Sequence, residues 1–284
     1  MLSSPLREDR SLIEPCTHEE ADTRIGLHLL DIANNGHKDV MVRTTDTDVV
    51  VLILSNLHNL SVNEMWISFG VGKHHRYIPS HNITTTLGPS KSSALAMFHS
   101  FTGCDTTSFF AGKGKKTAWD TWSVCPEVTD AFLLLSNAPA IISDDAFDLL
   151  EKFVVLMYDK ACGQVKVNDT RQHLFARQSR ALENIPPTQA ALKQHALRAV
   201  YQGGHVWGNT LQKEPQLPNP DAWGWEQKDG SWKAKWTTLG QAQEACYELI
   251  HYNCRKACRG LFKCYKASLL CTALCRYEGQ CYQD

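Results

Sequence analysis

Residues 44–54 read TTDTDVVVLIL, so two aspartates one residue apart stand at the mouth of a strongly apolar run. Folding VVVLIL into a core draws Asp46 and Asp48 toward the interior, where carboxylates lose hydration and repel each other. A chain accepts that arrangement in two ways: the aspartates cap a helix formed by the run, or they face something positive. The preceding segment, DVMVR from Asp39 to Arg43, reads as a short buried strand. Asp46 and Asp48 therefore sit past the carboxyl end of a strand, the edge where ligands gather in open α/β sheets.

The surroundings support an α/β reading. Residues 17–35 have helical periodicity through Ala21, Ile25, Leu29 and Ile32, with Thr17 and Glu20 spaced as a capping box and Gly36 as a stop. The β-branched content of VVVLIL leaves strand and helix both open for that run. EMWISFG and HHRYIPS read as a strand pair joined through Gly70 and Gly72. Helices are expected over 89–101, 115–123, 127–136 and 143–160, the last capped by Ser143. The character changes past residue 163. A helical stretch broken by Pro186 and Pro187 runs to 202, and Pro215, Pro218 and Pro220 then exclude regular helix. Asp229-Gly230 marks a β-hairpin. Trp223, Trp225, Trp232 and Trp236 around it read either as the hairpin's small core or as a base-stacking platform. The expected division is 1–162, 163–240 and 241–284.

Composition narrows the class. The chain has 284 residues, 43% apolar and 21% charged, with a net charge of −1, the profile of a globular protein. Near neutrality excludes a global pull on nucleic acid, so any such binding must come from local basic clusters. No apolar run approaches the roughly 18 residues of a membrane span, and MLSSPLREDR lacks a signal-peptide core. Seven of the eleven cysteines fall after residue 245. Without a secretory signal they read as reduced thiols and metal ligands, which places the expectation inside the cell, in the nucleus.

Glu20, Asp22, Asp46, Asp48 and Asp105 form the candidate acidic constellation. Each alone reads as a cap or a helix-dipole partner. Brought together they would make a ring of oxygen ligands suited to Mg²⁺ or Mn²⁺. Glu20 and Asp22 point about 200° apart if both are helical, so serving one site requires a distorted first turn.

Three segments, HEEADTRIGLHLLDIA, TTDTDVVVLI and FTGCDTTSFFAGKGKKTAWDTW, resemble in order and content three motifs of the structure-specific 5′ nucleases. That superfamily includes flap endonucleases and the 5′ nuclease domains of bacterial DNA polymerases, within the PIN-like fold. The resemblance implies a parallel sheet flanked by helices and a phosphodiesterase using two cations about 4 Å apart. It makes Asp46, Asp48 and Asp105 catalytic, with Glu20 and Asp22 as further metal ligands. Lys113, Lys115 and Lys116, in the Gly112-to-Ala118 element, would grip substrate phosphates; otherwise they read as a solvated helix start. The family's first strand, with its aspartate, has no counterpart here: Asp9 and Glu14 precede the helix without a buried strand to carry them. A partial domain, with one metal rather than two, is therefore expected.

The chain as a whole resembles an uncharacterised animal family sharing HEEADTR, DTDV, RYIP, FTGCDTTS and GKGKK, continuing through Gln194-His195 to Trp207 into a cysteine-rich tail. Cys254, Cys258, Cys264, Cys271, Cys275 and Cys281 resemble a degenerate CXC (tesmin-type) cluster. The array implies Zn²⁺, with Tyr252, Phe262 and Tyr277 where three further cysteines are expected. Cys246 reads as a buried structural thiol. Arg255, Lys256 and Arg259 make the tail basic, for contact with phosphate backbones or only to surround a zinc knuckle. The expected partner is nucleic acid, DNA before RNA, and no membrane. The alternative is a catalytically inactive nucleic-acid-binding or scaffold protein of mobile-element or chromatin type. A Cys104–His99 hydrolase lacks a third orienting group in the sequence. His74, His75 and His81 suit a polar turn, and His18 and His99 lie where they could support the acidic site.

Overall fold

A computed structural model of the chain describes residues 9–18, 20–161, 163–176 and 184–240. The cysteine tail, with the expected zinc ligands Cys254, Cys258, Cys264, Cys271, Cys275 and Cys281 and the basic residues Arg255, Lys256 and Arg259, lies outside the described residues. The fold is α/β, mostly helical, with one three-stranded and one two-stranded sheet.

Helix α1 (Ala21–Asn34) leads into strand β1 (Asp39–Thr44), then helix α2 (Thr47–Asn56), strand β2 (Glu64–Phe69) and strand β3 (Arg76–Pro79). β1 and β2 run parallel, pairing Val40 with Met65 and Val42 with Ile67. Parallel neighbours need a crossover, and α2 supplies it. This settles VVVLIL as helix despite its β-branched side chains. β3 runs antiparallel to β2, so the sheet is mixed rather than parallel throughout. The cause is the short connection: Gly70 (φ +84°) and Gly72 (φ +53°) turn the chain back within six residues, too few for a crossover.

The sheet buries one face. Val40, Met65 and Ile67 pack against Leu29 of α1 and Val49 and Ile53 of α2. On the other face Met41 and Tyr77 are exposed. α2 also sends Leu54 into a second, larger core. Being apolar toward both cores, α2 shows no clean single stripe, which is why its periodicity is ambiguous in the sequence.

The larger core is helical. It gathers α3 (Ser80–Leu87), α4 (Pro89–Ser93), α5 (Leu95–Phe101), α6 (Lys115–Val124), α7 (Val128–Ser136), α8 (Asp144–Tyr158), α9 (Val167–Ala176) and α10 (Gln189–Val200). The helix expected over 89–101 is thus two, divided at Ala94. Ser143 caps α8 as expected, its hydroxyl accepting from the Ala146 amide. The Thr17–Glu20 capping box does not form; Glu20 is itself the extended residue before α1 and makes no side-chain cap.

Compact unit Met1–Thr237 runs across the expected division at 162. Leu192, Ala196, Ala199 and Val200 of α10 join the same core as Phe98 and Phe153. Apolar spacing inside α10 matters more than the change of composition around it. Beyond α10 the chain makes a π-helical turn over Tyr201–Val206, and then the hairpin of β4 (Trp225–Lys228) and β5 (Ser231–Ala234). Asp229 (φ +52°) and Gly230 (φ +75°) form its tip, the paired left-handed geometry that Asp-Gly favours. The four tryptophans do not share a cluster. Trp223 is buried in the helical core, Trp225 packs against it, and Trp232 and Trp236 are exposed. No ring contact joins any two of them among the described residues.

Phe132 shows how tightly the helical core is filled. It is fully buried and meets Phe98, Phe101, Trp122 and Phe153 with ring centroids 5.4 to 6.0 Å apart. Phe132→Ala is expected to lower unfolding free energy by about 3–5 kcal/mol. Ile141→Ala, at a side chain 76% exposed, should cost under about 0.5 kcal/mol. Chemical denaturation of the two variants checks the difference.

Candidate metal centre

Thr44 ends β1, and two residues later Asp46 caps α2. The Asp46 amide donates to Thr44 Oγ1 (3.0 Å), while Asp46 Oδ1 accepts from the Asp48 amide (2.9 Å). This capping turn fixes both carboxylates at the start of α2. Asp22 occupies the first turn of α1. One ligand oxygen from each of Asp22, Asp46 and Asp48 lies within 4.8 Å of the other two. The amino-terminal ends of α1 and α2 therefore face one point, and their dipoles offset part of the carboxylate repulsion.

Much repulsion remains. Burial, followed by the charges of Asp46, Glu20, Asp48 and Asp105, raises the Asp22 pKa from 3.8 to about 6. Three partly exposed carboxylates at this spacing are a donor set that could hold a hard metal ion. The residues fit the group on chemistry as well as on distance.

The five expected acids divide. Asp22, Asp46 and Asp48 converge, whereas Glu20 and Asp105 fall outside that group of three, though their charges still act on Asp22. The angular difficulty between Glu20 and Asp22 does not arise, because Glu20 precedes the helix in extended backbone (φ −89°, ψ 135°).

Several side chains hold the acids in place. His99 on α5 donates from Nε2 to Asp48 Oδ1 (2.9 Å). Gln202 Nε2 donates to both Glu20 oxygens (3.3 Å each) and the Trp207 indole N–H to Oε2 (3.4 Å). Gln202 and Trp207 are buried, 182 and 187 residues away from Glu20 in sequence. They come from the π-helical turn and the residue after it, where Gly203 and Gly204 lie against α5 and α7. A Cβ on Gly204 would stand 2.6 Å from the Leu135 carbonyl oxygen, and one on Gly203 would stand 2.4 Å from Ser100 Oγ. Sequence reasoning gives Gln202 and Trp207 no role in the site; the signals are the segment from Gln194 to Trp207 shared with the resembling family and a glutamine followed by two glycines in an otherwise helical stretch.

The lysines also divide. Lys115 turns inward, donating to the His99 carbonyl (2.5 Å) and Thr102 Oγ1 (2.8 Å). Burial lowers its pKa to about 8, against an upward pull from Cys104 and Asp48. Lys116 pairs with Asp120 on the surface (3.0 Å), and Lys113 lies over the Tyr158 ring (5.0 Å). Cys104 meets Thr107 Oγ1 (3.2 Å), while Nε2 of His99 is engaged with Asp48. His75 bonds Ser68, His81 bonds the Met65 backbone, and His18 meets the Gln212 carbonyl.

No protein-family model, curated protein or solved structure matches the chain. Among the described residues no helix is long and apolar enough to cross a membrane.

The charge balance predicts an inverse dependence of stability on pH. Folded Asp22 holds its proton more tightly than unfolded Asp22, so without a cation the chain loses stability as pH rises from about 4 through about 6. Asp22→Asn removes this loss. Variant and wild type should melt together near pH 4, and the variant should melt higher at pH 7 in a chelator; thermal unfolding across that range checks the sign.

Proposed function

We propose that the chain is a metal-dependent, nuclease-like, nucleic-acid-binding protein with Asp22, Asp46 and Asp48 as ligands of Mg²⁺ or Mn²⁺. The supporting observation is the meeting of these three carboxylates within 4.8 Å past the carboxyl end of β1. The motif order and the α/β fold agree with a partial PIN-like, 5′ nuclease-type domain, and the reaction this implies is hydrolysis of a phosphodiester. A bound divalent cation supplies Lewis acidity toward a phosphoryl oxygen and lowers the pKa of water. The chain's own residues do the rest. His99 fixes the orientation of Asp48, and Gln202 with Trp207 fixes Glu20 beside the trio. Lys115, within electrostatic reach of Asp48, offsets acid charge and can hold a phosphate oxygen or a proton. Asp105, whose charge reaches Asp22, would border the approach of a strand. In the tail, Zn²⁺ on Cys254, Cys258, Cys264, Cys271, Cys275 and Cys281, with Arg255, Lys256 and Arg259, would add sequence-independent contact to DNA.

A second reading has its own observation. Glu20 is occupied by Gln202 and Trp207 and Asp105 stands apart, leaving three carboxylates for one ion rather than a set for two. That favours a catalytically inactive nucleic-acid-binding or scaffold protein. Incubation with flapped and single-stranded DNA in Mg²⁺ or Mn²⁺ separates the two. Cleavage that falls about 100-fold or more in Asp48→Ala, a loss of some 2.7 kcal/mol of transition-state stabilisation, supports the enzyme. DNA binding that survives chelation, weakens with salt and is lost on deleting 241–284, with no cleavage, supports the binding protein. Absence of both cleavage and DNA binding rejects both.

A further inference from the structure

A cavity of about 260 Å³ opens between the loop after α5, α8, α9, α10 and the segment following the hairpin. Its size is close to that of small-ligand sites, roughly 300 Å³ and upward. Two guanidinium groups line it, Arg171 of α9 and Arg198 of α10, and among the described residues no aspartate or glutamate does. Arg198 is only 2% exposed. One of its terminal nitrogens donates to the carbonyls of Gly224 (3.2 Å) and Lys235 (2.6 Å), and no carboxylate pairs with it among the described residues. Arg171 donates to the Pro186 carbonyl and likewise has no carboxylate partner among those residues. Removing a cation from water without a counter-charge is costly, and two like charges on one cavity add to that cost.

The remaining lining does not supply an anion. His195 is neutral: burial lowers its pKa to about 4, and both ring nitrogens are engaged, with Ser108 Oγ (2.8 Å) and the Phe101 carbonyl (2.7 Å). What the walls do supply is flat apolar surface. Phe110, Tyr158 and Trp236 face the cavity, and Phe109 stands 77% exposed beside it. Trp236, 64% exposed, has the Arg198 guanidinium 5.2 Å from its ring centroid, so one ring face meets the cation. Guanidinium forks recognise phosphate oxygens, and exposed aromatic rings stack nucleobases.

We propose that this cavity binds a nucleoside monophosphate, free or as the end of a strand, with Arg171 and Arg198 on the phosphate and Trp236 and Phe109 against the base. The site uses none of the acidic residues and stands whether or not the metal centre does. The test titrates the full chain, in EDTA, with adenosine and thymidine monophosphates, a 5′-phosphorylated oligonucleotide and inorganic phosphate. Binding is followed by calorimetry and tryptophan fluorescence. Either nucleotide form should bind at least about tenfold more tightly than phosphate, about 1.4 kcal/mol. Tighter binding of the monophosphate identifies a free nucleotide, and tighter binding of the oligonucleotide a strand end; both support the site. Arg171→Gln and Trp236→Ala should each weaken binding about tenfold or more, with the melting temperature of Trp236→Ala unchanged. Absence of saturable binding, phosphate binding as tight as nucleotide, or affinity unmoved by Trp236→Ala overturns the proposal. Because EDTA excludes divalent cations, failure here is distinct from failure of the metal centre.

Discussion

Mutual repulsion among Asp22, Asp46 and Asp48 is the constraint around which the amino-terminal half is arranged. Three carboxylates whose oxygens approach within 4.8 Å would separate if their backbone were free. They are held by elements fixed for other reasons. α1 and α2 bury Leu29, Val49 and Ile53 against the sheet, and that apolar contact brings both helix starts to one place. Helix dipoles, the Asp48 amide and His99 soften the repulsion without removing it, and burial together with the remaining acid charge raises the pKa of Asp22. A fold that assembles unfavourable charge at a sheet edge has stored that energy where a cation can release it.

The second half of the compact unit takes part in the same arrangement. Gln202 and Trp207 reach Glu20 only because two glycines let the π-helical turn press onto α5 and α7. π-helical turns recur at functional sites, since the extra residue re-aims a side chain that a regular helix would misplace. Here the re-aimed groups are two neutral donors to a carboxylate. The helices of residues 89–206 thus form the core and, through His99, Lys115 and Gln202, also the walls of the acidic site. Along α10, Arg198 and His195 line another cavity, where the guanidinium charge meets no carboxylate among the described residues.

Much of this is legible in the sequence, and the rest has identifiable reasons for being hidden. The strands at 39, 64 and 76 follow from short apolar and aromatic stretches bounded by turn residues, and Asp229-Gly230 announces its hairpin through the backbone angles it favours. The meeting of Asp46 and Asp48 with Asp22 follows from their places at a strand end and a helix start. VVVLIL is not decidable locally, because only its role as a crossover between parallel strands makes it helix. The sense of β3 is set by the length of one turn. The exclusion of Glu20 and Asp105 from the trio, the inward turn of Lys115 and the roles of Gln202 and Trp207 depend on contacts between residues far apart in the chain, which no local pattern encodes. The tryptophans mislead for a related reason: their spacing around the hairpin says nothing of the helical core that takes Trp223.

The most direct test of the central claim is diffraction from crystals grown with Mn²⁺, using its anomalous signal to locate the ion. The account predicts a single strong peak bounded by the carboxylates of Asp22, Asp46 and Asp48, at oxygen distances of about 2.0–2.3 Å. Carboxylates splayed apart, or manganese found only elsewhere on the molecule, would contradict it.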